Sequence, residues 1–118
     1  MELGLIGLGK MGGSMARRLM RARHSLIVFD REIEAVRSLE TDGAVAVDRL
    51  EDFTDRLSTP RVVWVMLPAG TATDSTIEAL SELLSRGDTI VDGSNSYYGE
   101  SMRRAAAAAE HGVDVLDA

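Results

Sequence analysis

The first twenty residues constrain this chain more than any other stretch. An aliphatic run, Leu3-Gly4-Leu5-Ile6, leads straight into Gly7-Leu8-Gly9-Lys10-Met11-Gly12. Apolar residues then recur at Met11, Met15 and Leu19, while Arg17, Arg18 and Arg21 point elsewhere. That succession predicts a buried strand, a glycine-rich turn and an amphipathic helix. The glycines have separate jobs: Gly7 permits the tight turn, Gly9 lets the backbone approach a pyrophosphate with no β-carbon in the way, and Gly12 lets helix and strand pack closely. Free amides at the helix start would face the anion. Glycine turns also arise for purely steric reasons, but a strand before and a helix after this one favour dinucleotide binding.

A second strand, Leu26-Ile27-Val28-Phe29, ends at Asp30, eighteen residues after Gly12. A carboxylate there would accept hydrogen bonds from the adenosine ribose hydroxyls and repel a 2′-phosphate, which favours NAD over NADP. Arg31 beside it could attract such a phosphate. A solvated turn is the plainer reading of the Asp30-Arg31 pair.

Strand-like and helix-like segments keep alternating, which predicts an α/β fold: a Rossmann-type, doubly wound, mainly parallel sheet of about six strands with helices on both faces. Ile33, Val36 and Leu39 space a second helix ending near Gly43, and Ala44 to Val47 make a short third strand. Asp48 and Glu51 resemble a capping box opening a helix that buries Leu50, Phe53 and Leu57. Val62-Val63-Trp64-Val65-Met66-Leu67 lacks alternation, as expected of a central strand covered on both faces. Ile77, Leu80 and Leu84 mark a helix ending at Gly87; Thr89-Ile90-Val91 is a fifth strand, Met102 to His111 an alanine-rich helix, and Val113 to Leu116 a sixth strand. One domain over residues 1–118 is expected.

Composition excludes several classes. The net charge of -6 argues against a nucleic-acid partner, since such affinity rests on Lys and Arg neutralising phosphates. With no cysteine there are no disulfides or thiolate metal ligands, and no metal site is expected. The longest apolar stretch is far short of the roughly 20 residues of a membrane span, so no membrane partner and a cytoplasmic location are expected.

The sequence resembles the N-terminal domain of the decarboxylating 6-phosphogluconate dehydrogenases, within the β-hydroxyacid dehydrogenase superfamily. Gly7 through Ala16 resembles the superfamily's cofactor signature, and Met66-Leu67-Pro68-Ala69-Gly70 resembles the loop that borders the cofactor near its nicotinamide end. Asp92-Gly93-Ser94-Asn95-Ser96-Tyr97-Tyr98 resembles the D-G-G-N-S-x-Y segment, where sibling hydroxyacid dehydrogenases read D-x-S-T. The resemblance implies cofactor contacts at Gly7, Leu8, Gly9, Lys10, Met11, Gly12, Asp30, Arg31, Leu67, Pro68, Ala69 and Asn95. It implies a sugar acid phosphate substrate at Asn95 and Ser96. A turn at a strand end would equally favour Gly93 and Asn95. Three positions depart from the pattern: Ser94 replaces the second glycine, Ser14 an asparagine, and Arg23 a glycine before His24. Arg23 leaves the left-handed turn after the first helix open. His24 reads as a surface or loop residue without a catalytic role.

By the same resemblance, the substrate loop, the catalytic lysine and glutamate, and an all-helical domain that builds a homodimer or higher oligomer lie beyond Ala118. The one lysine here, Lys10, belongs to the phosphate loop, so no complete catalytic set is expected. The implied reaction is oxidation of 6-phosphogluconate and decarboxylation to ribulose 5-phosphate. Three alternatives remain: a sibling 3-hydroxyacid dehydrogenase, a non-catalytic nucleotide-sensing module, and a methyltransferase. The last is disfavoured because Met11-Gly12 and the Asp92 to Tyr98 segment have no evident use there.

Overall fold

A computed structural model describes residues 2–7, 9–67, 71–93 and 108–117. In chain order they form β1 (Glu2–Ile6), α1 (Lys10–Arg21), β2 (Ser25–Phe29), α2 (Ile33–Thr41), β3 (Val45–Ala46), α3 (Asp52–Arg56), β4 (Val62–Val65), α4 (Thr71–Leu83), β5 (Thr89–Asp92) and β6 (Asp114–Asp117). The strands lie in the order β3-β2-β1-β4-β5-β6, and every pairing is parallel. This is the expected Rossmann-type sheet, with β1 and β4 at its centre.

Alternate residues of each strand feed two cores. Leu3 and Leu5 join Leu26, Val28, Ala16 and Leu39 on the face covered by α1 and α2. Ile6 joins Ile27, Val63, Val65, Phe53, Ile77 and Leu80 on the face covered by α3 and α4. Fully burying one such side chain contributes roughly 1.5–3 kcal/mol. Gly4 lies under α3: a β-carbon there would sit 3.1 Å from Phe53, Leu57 and Val63. The expected Phe53 and Leu57 face of α3 is observed, with Leu50 partly buried beside it.

Several sequence expectations shift. The third strand shrinks to Val45–Ala46 and the fourth stops at Val65. Val63 and Val65 are buried while Val62 and Trp64 are half-buried, so β4 alternates mildly instead of being equally covered on both faces. The capping box at Asp48 and Glu51 does not form: Glu51 caps α3 without a side-chain bond, and the Arg49 backbone N–H instead donates to Asp52 Oδ2 at 3.2 Å. Ile33, expected on a buried stripe, is 63% exposed, because it opens α2 ahead of the turn that packs on the sheet. Of the alanine-rich helix only residues 108–109 fall among the described helical residues, and Ala108 is buried.

The turn left open at Arg23 is left-handed. Arg23 has φ 69°, its N–H donates to the Met20 carbonyl, and the N–H of His24 donates to Leu19. These two bonds are the Schellman pattern that usually ends on glycine. An arginine there costs on the order of 1 kcal/mol, and the turn keeps both backbone bonds nonetheless.

At the amino ends of β4 and β5 one ion pair gathers four segments. Asp88, which is fully buried, accepts from the Arg61 backbone N–H (2.6 Å), the Ser85 backbone N–H (2.8 Å) and Arg61 Nη1 (3.1 Å). The same guanidinium donates to the carbonyls of Leu57 and Thr54 at the end of α3. Burial pushes the Asp88 carboxyl up, but the Arg61 and Ser85 amides and the Arg61 guanidinium outweigh it and hold it below its ordinary value. A carboxyl depressed on folding contributes stability that is fully present above its unfolded pKa and is lost as pH falls through the lower folded value. Asp88→Ala strands a nearly buried guanidinium, and urea unfolding at pH 7 should show a loss of about 3 kcal/mol. The gap between wild type and variant should close as the pH is lowered through the carboxylate range; a gap that does not narrow there would contradict this account.

Candidate functional site

In an open parallel sheet a ligand site lies beyond the carboxyl ends of the strands, where the chain direction switches across the sheet. Here the switch falls between β1 and β4, because β2 and β3 lie to one side of β1 and β4 to β6 to the other. A cleft of about 490 Å³ opens at that place, lined by Ile6, Gly7, Phe29, Asp30, Arg31, Leu50, Leu67, Ser75 and Thr76.

The local hydrogen bonds explain the convergence. The Gly7 N–H donates to the Phe29 carbonyl at 3.1 Å, tying the glycine turn to the end of β2 and so to Asp30. The Met66 N–H donates to the Ile6 carbonyl at 2.8 Å, drawing Leu67 to the other side of Gly7. Asp30 is oriented by the Glu32 backbone N–H, which donates to its Oδ1 at 3.0 Å.

The three glycines differ in what requires them. Gly7 has φ +91°, and a β-carbon on it would press on the Met66 carbonyl at 2.8 Å. A β-carbon on Gly12 would overlap the Gly7 carbonyl oxygen, so α1 can approach β1 only through glycine. Gly9 is different: its φ of -59° is not left-handed, and among the described residues a β-carbon there would meet nothing within 4 Å. Nothing among the described residues demands a glycine at position 9, and the open space above it has room for a ligand.

Electrostatics agree. The first turns of α2, α3 and α4 carry Glu34, Asp52 with Asp55, and Asp74, whereas the first turn of α1 has no acidic residue. The amides that open a helix lack intrahelical acceptors and carry about half a positive charge. At α1 no carboxylate of its own first turn neutralises that charge, so it is available to a bound anion.

Of the expected cofactor residues, Gly7, Asp30, Arg31 and Leu67 come together in the cleft. Gly9 lines a neighbouring depression with Ser14, Arg17 and Ser38, and Gly12 lies behind the loop against Gly7. Lys10 and Met11 supply backbone to the first turn of α1. Leu8, Pro68, Ala69, Ser94, Asn95 and Ser96 lie outside the described residues. Sequence reasoning missed Leu50, Ser75 and Thr76 as cleft residues; Leu50 had been assigned to the core by its spacing, and the two hydroxyls of α4 carry no motif.

Comparison with known proteins agrees with this geometry. The family model for the NAD binding domain of 6-phosphogluconate dehydrogenase matches residues 2–118. An NAD(+)-dependent decarboxylating 6-phosphogluconate dehydrogenase of Haloferax volcanii is 43% identical over 107 residues, covering 91% of this chain and 36% of that protein. The NADP(+)-dependent enzyme of Bacillus subtilis is 34% identical over 119 residues, covering 98% of this chain and 25% of its own length. The chain thus spans about a third or less of these relatives. The solved structure of Plasmodium falciparum 6-phosphogluconate dehydrogenase superposes with a TM-score of 0.88 at 26% identity, over 98% of this chain and 26% of that one.

The glycines separate fold from ligand in a measurable way. Gly9→Val should melt within a few degrees of wild type, because the added atoms enter open space. Gly12→Val should lose several kcal/mol or fail to fold, since overpacking against backbone has no cheap relief. Thermal unfolding followed by circular dichroism checks both, and equal losses at the two positions would refute the distinction.

Proposed function

Because the chain belongs to the NAD-binding domain family of 6-phosphogluconate dehydrogenases, we propose that it seats NAD across the carboxyl ends of β1, β2 and β4. Within a whole enzyme it would thereby serve the oxidative decarboxylation of 6-phosphogluconate to ribulose 5-phosphate. The observation that carries the reading is Gly9, a glycine of negative φ at the tip of the loop with no packing need among the described residues. Its bare backbone, with the opening amides of α1, receives the pyrophosphate. Asp30 accepts from the adenosine ribose hydroxyls, Arg31 and Leu50 flank the adenosine end of the cleft, and Leu67 with Pro68 and Ala69 borders the path toward the nicotinamide. Leu8, Lys10 and Met11 complete the loop.

When bound, the nicotinamide accepts the hydride. Asn95 and Ser96 orient the sugar acid phosphate: a carboxamide donates to one hydroxyl and accepts from another, but neither takes nor gives a proton near pH 7. The base that deprotonates the sugar hydroxyl therefore comes from elsewhere in the whole enzyme, as does the surface for a homodimer or higher assembly. Among the described residues no helix is long and apolar enough to cross a membrane and no acidic or histidine cluster could hold a metal; a cytoplasmic location is part of the proposal for the whole enzyme.

Relatives of both cofactor preferences exist, and Asp30 supports NAD here. Titrating NADH and NADPH fluorescence should show tighter NADH binding. Gly9→Val should weaken NADH at least about a hundredfold, close to 3 kcal/mol, and Asp30→Ala should narrow the gap between the two cofactors. Unchanged NADH affinity in Gly9→Val would remove the cofactor reading, and a wild-type preference for NADPH would show that Arg31 outweighs Asp30.

The substrate reading is tested separately at the NADH absorbance band. The 118-residue chain should bind cofactor yet produce no NADH from 6-phosphogluconate. In an enzyme carrying the rest of the family's chain, Asn95→Ala should lower kcat/KM by roughly 2–4 kcal/mol, as when a preorganised donor is removed. Turnover by the 118 residues alone, or an unimpaired Asn95→Ala enzyme, would contradict it.

A further inference from the structure

Two turns at the carboxyl edge of the sheet close on one side chain. A β-carbon on Gly93 would overlap Met66 Sδ, with Met66 Cε at 3.4 Å and the Val65 carbonyl at 3.3 Å. On the other side Met66 Cβ lies 3.6 Å from where a β-carbon of Gly12 would stand, and the Met66 carbonyl backs Gly7. Both turns are tied to the sheet, the Gly93 N–H to the Val65 carbonyl at 2.9 Å and the Met66 N–H to the Ile6 carbonyl at 2.8 Å, so a β-carbon at Gly93 acts first on the end of the Met66 side chain. The thioether is partly buried against the core that includes Ala16 of α1. An unbranched, polarisable side chain is suited to filling such an irregular gap.

We infer that Met66 is a positioning residue whose thioether sets the spacing between the glycine loop and the turn at Gly93. The inference rests on the cofactor reading above. The loop holds the pyrophosphate, and Met66 fixes it relative to Gly93, which stands two residues before Asn95 in the sequence. Pressure applied at Gly93 is then transmitted through the Met66 side chain to α1 and is felt by the cofactor, although Gly93 belongs to neither the glycine loop nor the cleft lining.

The test uses four proteins: wild type, Gly93→Ala, Met66→Ala and the double variant, each titrated with NADH and melted. Gly93→Ala should bind about fivefold more weakly than wild type, and combining it with Met66→Ala should cancel most of that loss, a non-additivity expected only of groups in contact. In wild type labelled at the methionine methyls, the Met66 signal, assigned by its disappearance in Met66→Ala, should move on adding NADH. A purely structural methionine would move melting temperatures without that shift or that rescue. If Gly93→Ala does not fold, the methyl shift alone decides. A stationary Met66 methyl together with wild-type affinity in a folded Gly93→Ala overturns the inference and leaves the cofactor reading standing; absence of NADH binding by wild type ends both.

Discussion

Everything at the working end of this domain depends on how closely α1 approaches β1. At Gly12 the approach is so tight that any β-carbon would run into the Gly7 carbonyl oxygen. The contact aims the opening amides of α1 at the space beyond β1, and Gly7 turns the chain sharply enough for the helix to follow. The bonds from Gly7 to Phe29 and from Met66 to Ile6 then fasten β2 and β4 to the same turn. Candidate cofactor residues from distant parts of the chain meet in one cleft because these strand ends are registered on one glycine.

The opposite end of the sheet is held by different chemistry. Asp88 and Arg61 bind one another and also take up backbone groups of α3 and of the turn before β5. A buried ion pair repays its desolvation only when its remaining donors and acceptors are satisfied, and here Asp88 receives three bonds. The amino ends of β4 and β5 are thus tied by a buried ion pair, while at the carboxyl ends the first turn of α1 carries no acidic residue of its own.

Much of this was legible in the sequence because it follows short-range rules. The glycine spacing, the acid after β2 and the aliphatic strands each leave a local signature, and the unbroken apolar run at Val62 marked a strand at the sheet centre. The failures are equally physical. The capping box failed to form because two acids, Glu51 and Asp52, stand in tandem, and it is Asp52 that takes the backbone N–H of Arg49. The Arg61–Asp88 pair spans 27 residues and has no periodicity to reveal it. Arg23 hid a left-handed turn because the residue type pointed away from it, whereas the backbone bonds to Leu19 and Met20 preserved it. Leu50, Ser75 and Thr76 became cleft residues only through the packing of α3 and α4.

The emptiness above Gly9 also bears on protein quality control. Cellular proteolysis responds to the unfolded fraction of a protein, and a side chain that enters only solvent leaves that fraction unchanged. A lesion at this position would cost the chain only the stabilisation that a bound ligand adds, whereas a lesion at Gly12 would prevent the packing itself and be cleared. Neighbouring glycines of one loop are therefore exposed to selection by different routes, one through turnover of the chain and the other through what the folded chain can bind.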